Sequence, residues 1–427
     1  MREKIYTTTT KILWSIAACL ALFFAQVIQT TACPVEDITE ALKSGKPTLE
    51  LRLGYEYSNY DDPPGNNRHP ANGINLRTRV GYRTGDFMKT SAYVQLQNVT
   101  NFLEHFRYRH DGKWRGDKSH DVIMDPNGSR VHQAYLDFTG IPDTTVRPGR
   151  QEIILDDARL IGNVNWRQNG QSFDAVSITN ESVPDVTLFG SYINQVNTIT
   201  LDYLDLDSLI LLNSRYTGIQ DQSITAFCYL LDTEDDTDAA RDSATYGLRF
   251  AGKVAMLNYT MDYAHQSDYQ DGDDHDGNMF NAFLGGKIGM VDVGAGYSYI
   301  SGQDGDDRPF DTLFGTAHKF NGWADQFLAT NGGALRDGLE DIYIQAGTKY
   351  MGIKFLAVYH YFDTTENDAF DGTYGDEIDL LITKEIYKNL SGLLKYAYYN
   401  NNDNSANGFN NPTADEEVFW ARLEYKF

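Results

Sequence analysis

Arg77, Arg79 and Arg83 are the first residues whose type and spacing suggest chemistry, and Arg52 stands in a similar setting within Leu49–Ser58. Spacing by twos and fours puts residues of an extended chain on one face. These arginines therefore share a side, and Ile74, Leu76, Thr78, Val80 and Tyr82 take the other. Guanidinium groups hold carboxylates through paired N–H donors. A row of them along a passage would attract acidic solutes while holding each weakly enough to release it. Arg147, Arg150, Arg159 and Arg167 are further arginines before residue 170. Arg147 and Arg150 differ in parity, so both face inward only if a bulge or strand end intervenes. The structural alternative is that Glu50, Glu56, Asp137 and Glu152 pair with these arginines and brace a wall. For a single arginine either reading serves; the group as a whole points to transport.

Other chemistry finds little support. The chain has no His-Glu-x-x-His, no Gly-x-Ser-x-Gly, no phosphate-cradling Gly-rich loop ending in Lys-Ser/Thr and no Cys pair. An enzyme, a cofactor and a metal centre are thus not expected. A barrel hydrolase is the remote alternative, resting on Asp262 with His265 or on adjacent Asp274 and His275. The acidic runs 232–238, 271–276 and 304–307 lack the ordered ligands, glycine and terminal Glu of an EF-hand loop. They read as solvated loops facing lipopolysaccharide, with loose divalent bridging as a secondary role. Phe320, Trp323 and Phe327 fall at helical spacing and predict a short helix packing one face into or over a barrel mouth. The sharper reading is an aromatic platform for sugar rings.

The elements that must position these residues are strands. Leu49, Leu51, Leu53, Tyr55 and Tyr57 alternate with polar or small neighbours; so do Ala255 to Tyr263, Val291 to Tyr299 and Ile353 to Tyr361. Such alternation means one apolar and one polar face. Lengths of about 9–12 residues suit a tilted membrane crossing, and Tyr gathers where the apolar faces end, as in an interfacial girdle. Short links at 84–86, 252–253, 351–352 and 387–389 alternate with long ones near 100–130, 156–170, 232–243, 266–278, 302–338, 363–374 and 400–415. The segment count is about eighteen, with starts near 49, 73, 87, 131, 144, 171, 185, 208, 223, 243, 254, 279, 290, 340, 352, 376, 390 and 417. The expected fold is all-β: a transmembrane antiparallel β-barrel of about eighteen strands over 47–427, with short periplasmic turns and long extracellular loops. A soluble sandwich or propeller would also alternate, but would need neither the loop asymmetry nor the closing Phe419, Ala421, Leu423, Tyr425 and Phe427, which share a face.

The beginning of the chain sets the compartment. Arg2, Lys4 and Lys11 precede an apolar stretch from Ile12 to Ile28, followed by Thr30, Thr31 and Ala32. This is a secretory signal over 1–32, leaving 33–46 as a short periplasmic segment. Cys33 would then lead the mature chain; lipidation is a minority reading, because Thr30 stands where a lipobox carries Leu. Cys228 is the only other mature Cys, so a disulfide scaffold is excluded. After the leader no apolar run reaches the length of a spanning helix. Of a net charge of −24, residues 33–200 contribute −3 (18 basic, 21 acidic) and residues 201–427 contribute −23 (15 basic, 38 acidic). So acidic a chain excludes nucleic acid as a partner. Basic residues concentrate before residue 170.

Val131–Asp137 (VHQAYLD), Val146–Asn163 (VRPGRQEIILDDARLIGN), Trp166–Asn169 (WRQN) and Ser172–Val176 (SFDAV) resemble the alginate export (AlgE-like) outer-membrane porin family, and Leu76–Arg83 fits its N-terminal pattern. His318–Phe327 (HKFNGWADQF) is similar to a subset found in marine bacteria. The resemblance covers most of the mature chain. It implies an eighteen-stranded barrel in the bacterial outer membrane whose basic lumen conducts an anionic polysaccharide, and Arg147, Arg150, Arg159 and Arg167, which lie in the matching block, join the substrate-binding set on that ground. The alternative is a general diffusion or uptake porin for small anionic or sugar-derived solutes. Implied partners are outer-membrane lipid, lipopolysaccharide and the barrel assembly machinery, which would read the terminal strand ending at Phe427.

Overall fold

Alternation is realised as long antiparallel strands. The computed structural model describes residues 37–61, 68–233, 241–272, 274–305, 307–328, 337–365, 373–402 and 414–427. The expected leader, Cys33 and parts of the acidic runs (234–238, 273 and 306) lie outside the described residues. A one-and-a-half-turn helix, α1 (Ile38–Lys43), capped by the Asp37 carboxylate on the Thr39 N–H, leads into β1 (Lys46–Tyr60). There follow β2 (Ala71–Arg83), β3 (Thr90–His105), a small hairpin of β4 (Arg107–His110) and β5 (Lys113–Gly116), β6 (Gly128–Ile141), β7 (Thr144–Gln151), β8 (Ser172–Asn180) and β9 (Val186–Asn197). Next come β10 (Tyr203–Tyr216), β11 (Gln222–Thr233), β12 (Ser243–Val254), β13 (Leu257–Asp268), β14 (Asp276–Ile288) and β15 (Val291–Ile300). The last five are β16 (Leu339–Tyr350), β17 (Ile353–Asp363), β18 (Thr373–Tyr387), β19 (Leu390–Asn401) and β20 (Glu416–Lys426).

Eighteen of these strands form one sheet. Each pairs with its neighbour in the chain, β3 pairs with β6 across the hairpin, and β20 returns to β1 from Glu50↔Lys426 to Tyr60↔Glu416. The sheet closes, so every strand has partners on both sides and no edge is left. The strands begin close to the expected positions. The largest offset is at β10, which starts at Tyr203 rather than near 208. A bulge between Leu206 and Ser208 interrupts its alternation, and Leu209–Leu212 is apolar throughout.

That run has a reason. On most strands the apolar row faces outward and is exposed, as at Val80 (52%) and Leu96 (55%), while the polar row is covered, as at Arg77 (0%). On β8 to β11 the inner row is apolar too. Phe173, Ile193, Leu209, Leu211 and Leu231 are buried against Ile153, Leu160, Ile161, Phe310 and Phe314, which belong to the long connections after β7 and β15. Both connections therefore fold into the barrel. They are joined there: Gly162 N–H donates to Phe314 O (3.0 Å), Phe314 N–H to Leu160 O (3.0 Å) and Thr316 N–H to Ala158 O (2.8 Å). Gly315 makes this approach feasible, since a Cβ at that position would strike the Arg159 carbonyl. Among the described residues no helix is long and apolar enough to cross a membrane.

Candidate functional site

The inward arginines of β1 and β2 are committed to partners. Arg52 donates through Nε (2.8 Å) and Nη2 (2.7 Å) to Glu424 and through Nη1 to Asn165 O (2.7 Å). Arg77 pairs with Glu50 and reaches Asn165 Oδ1 (2.8 Å). Arg79 donates to Gln97 (2.8 Å) and lies 3.5 Å from Glu152, which also meets His132 (2.8 Å). The connection after β7 is thereby pinned to the wall, and the rest of its Trp-Arg-Gln-Asn stretch completes the attachment. Arg167 joins Glu56 (2.8 Å) and Asp325 (3.2 Å), Gln168 N–H donates to Asp125 (2.8 Å), and Asn169 donates to Pro126 O (2.8 Å) while accepting from Gln97 (3.0 Å). Buried, hydrogen-bonded ion pairs of this kind fix geometry more surely than they add stability. Near the short-turn end, Arg83 (2.8 Å) and Arg147 (2.5 Å) share Asp137, and both lie over the Tyr135 ring.

A second cluster holds the connection after β15. Lys395 Nζ sits 3.7 Å from the Trp323 ring centroid and 4.2 Å from that of Trp166, a cation–π arrangement from two sides. Its ammonium lies 2.6 Å from His318 Nε2, and His318 Nδ1 is 2.7 Å from Asp325. Burial pushes the His318 imidazole down to about 3 against the pull of Asp325, so the ring is neutral. The bonding assigns its tautomer: Nε2 accepts from Lys395 and Nδ1–H donates to Asp325. Burial alone would raise the Asp325 carboxyl, but His318, Arg167 and Lys395 hold it below its ordinary value. From β18, the Glu377 carboxylate accepts the backbone N–H groups of Trp323 and Ala324 (2.8 Å for the latter).

Beneath these connections lies a lumen cavity of about 980 Å³. Several acids on its lining have partners: Arg249 meets both Asp157 (2.8 Å) and Asp262 (2.6 Å), Arg52 holds Glu424, and Asp341 lies 2.9 Å from the His360 imidazole. Seven cations on the lining have no carboxylate at ion-pair distance among the described residues. Lys319 donates to Asp157 O (3.0 Å), Lys395 is held by His318 and the tryptophan rings, and Lys384 belongs to the outward row of β18, which leaves Arg159, Lys349, Lys354 and Arg422. Among the described residues Glu385 is the one lining acid with neither a cation nor an imidazole at ion-pair distance. Arg422 stacks 3.6 Å over Trp166, and Arg159 lies 3.8 Å over Phe320 with its Nε unpartnered. Each is braced by an aromatic face.

Of the eight arginines expected to bind substrate, Arg52, Arg77, Arg79, Arg83, Arg147 and Arg167 face the interior in ion pairs, and Arg159 faces it without one. Arg150 is a correction. It pairs in register with Ala134 and Asp174, in line with exposed Leu136 and Val176, so it lies on the outer wall, held by Asp174 (2.6 Å) and set over Tyr203. The helix expected at 320–327 is replaced by a 3₁₀ turn at Ala317–Lys319. Phe320, Trp323 and Phe327 instead meet separate partners, Phe327 packing on Phe362 and Tyr374; the expected packing of this stretch into the barrel is found. Asp262 faces inward to Arg249, whereas His265 bonds to Asn278 and lies edge-on to outward Tyr246, so they form no acid–base pair. Among the described residues the one group with metal-ligand spacing is His110, Asp111 and Asp202, outside the acidic runs. Lys349, Lys354 and Arg422 escaped the sequence reading, although their parity was a signal: Lys354 alternates with Ile353 and Phe355, and Arg422 with Ala421 and Leu423.

A closed eighteen-stranded barrel with an apolar exterior and a polar lumen narrowed by inward connections defines an outer-membrane porin-type channel. The chain belongs to the alginate export family, whose pattern it matches over residues 48–399. No curated protein sequence matches it. Similar solved structures include Pseudomonas aeruginosa OccK9 (OpdG), with TM-score 0.68 and 14% identity over 91% of this chain and 99% of that one. Acinetobacter baumannii OccAB4 gives 0.67 and 13% over 90% and 98%, and P. aeruginosa OpdK, solved with vanillate, gives 0.67 and 12% over 90% and 99%. At these identities the likeness is one of fold.

Proposed function

We propose that the chain is a channel of the Gram-negative outer membrane that passes acidic solutes, with its short turns in the periplasm and its long loops outside. The supporting observation is the excess of positive charge on the cavity lining: with outward Lys384 set aside, eight Lys and Arg stand against five Asp and Glu, and Arg159, Lys349, Lys354 and Arg422 have no ion pair among the described residues. In a narrow, low-dielectric passage such an excess concentrates anions, and weakly coordinated cations let them leave. A cavity of about 980 Å³ is of the size that holds single small ligands, so with the connections folded inward the passage suits monomeric or short oligomeric acids. The vanillate in OpdK, a carboxylate, is consistent with this class. Family membership favours a second reading, an anionic polysaccharide conduit such as one for alginate, which requires the inward connections to withdraw.

Single-channel recording separates the two. Short uronates should block the current and neutral oligosaccharides of equal size should not, with block relieved in Arg422→Gln and Lys354→Gln. Equal block by both sugars counts against an acidic cargo, and translocation of long polyuronate with a lasting rise in conductance favours the polymer conduit. Solute flux in liposomes without turnover distinguishes any channel from the hydrolase alternative. In this setting the outer loops face lipopolysaccharide, and the β20 strand with Phe427 is the segment presented to the barrel assembly machinery.

A further inference from the structure

The outer wall carries a dent near its short-turn end. Two outward rows cross β17 to β1 there: Ile353–Lys384–Gly392–Leu423–Leu53 and, one step further along the strands, Phe355–Ile382–Leu394–Ala421–Tyr55. Gly392 and Ala421 keep the floor low, and the space above is an apolar groove of about 580 Å³ walled by Leu53, Ile382, Ile386, Leu394 and Leu423. Gly392 is the gap in the floor: a Cβ there would meet Ile386 Cδ1 at 3.0 Å and Leu423 Cδ2 at 3.7 Å.

Lys384 stands at the groove's edge on the same outward face, flanked by Ile382 and Ile386, which are 38% and 53% exposed. Among the described residues it has no ion pair or hydrogen bond, and Glu385 beside it belongs to the inner face. A lysine on a lipid-facing wall is costly in proportion to its depth. It is tolerated where its stem lies along apolar surface and its ammonium reaches the headgroup layer. An apolar groove with one unpaired cation at its edge complements an amphiphile with an anionic head.

We propose that the groove is a binding site for a glycerophospholipid of the periplasmic leaflet, one acyl chain lying over Gly392 and the phosphate on Lys384 Nζ. Lysine at this point then meets its counter-charge from the bilayer rather than from the protein. The site shares with the channel reading only the orientation of the barrel.

The test is native mass spectrometry of the purified, delipidated barrel re-exposed to phosphatidylglycerol in mild detergent, with heat-modifiable migration confirming folding. One retained lipid per barrel is expected for the wild type and for Leu248→Phe, an outward substitution on β12. Loss of that adduct is expected in Gly392→Phe, which fills the groove, and weakened retention in Lys384→Gln. Retention unchanged in Gly392→Phe, or loss equal in Leu248→Phe, would overturn the site. Conductance of Gly392→Phe should match the wild type, so failure here leaves the channel reading untouched.

Discussion

A guanidinium with a carboxylate at 2.7 Å and one lying over a tryptophan do different work in the same lumen. Arg77 and Arg167 are buried with their partners, and removing one member of such a pair strands the other at a cost of about 3–5 kcal/mol. Arg167→Gln should therefore lower resistance to urea unfolding by that order, since it leaves the Glu56 and Asp325 carboxylates without their partner. Arg422→Gln breaks no ion pair among the described residues and should cost little stability while lowering anion preference. The pH response belongs to His318, whose folded value of about 3 lies below its ordinary 6.5. A group depressed in this way binds its proton more readily once the connection is released. Attachment is therefore complete above about pH 6.5 and weakens progressively as pH falls toward about 3; Asp325, also held low, adds to the loss at the acid end. Current noise from loop movement should rise between pH 7 and pH 4 in the wild type and vary little in His318→Gln. A wild-type trace that is flat over this range would contradict the attachment described.

At the scale of elements, the strands were legible and the inward connections were not. Period-two alternation locates a strand because one face meets lipid and the other meets a wet interior, and this held for the barrel strands, while the β4–β5 hairpin lay inside what reads as a long link. It faltered at β10, where Leu209–Leu212 is apolar on both faces since the connection after β7 covers the inner one. Nothing local in residues 152–171 announces that they turn inward, and in 301–328 only the aromatic spacing at 320–327 does; their burial depends on a partner connection more than a hundred residues away. Phe320, Trp323 and Phe327 imitate helical spacing while serving Arg159, Lys395 and Phe362 separately. The same limit applies to the site. Alternation placed Arg52, Arg77, Arg79 and Arg83 on the inner face but missed Arg249 and Arg422, and it could not tell which were paired, because Glu424 lies 372 residues from Arg52. Gly315→Leu should force the Arg159 carbonyl away, loosen both connections and raise single-channel conductance. An unchanged conductance would mean that these connections do not set the bore.

For the whole molecule, a net charge of −24 does not conflict with the anion-attracting lumen proposed above. Much of the acid stands in the long loops, while the cavity lining carries more cations than acids. The exterior obeys the bilayer: Ile344 on β16 is 58% exposed, and Ile344→Arg should cost about 2–4 kcal/mol if it lies near the midplane, against little for a change at inward Gln345. Urea titration of folded barrels in lipid vesicles checks this. The central claim, that the unpaired lumen cations select anions, is tested most directly by the zero-current potential across a planar bilayer under a salt gradient. The wild type should favour chloride over potassium, with that preference reduced stepwise in Arg159→Gln, Lys354→Gln and Arg422→Gln. A cation-selective wild type, or a potential unmoved by all three substitutions, would contradict it.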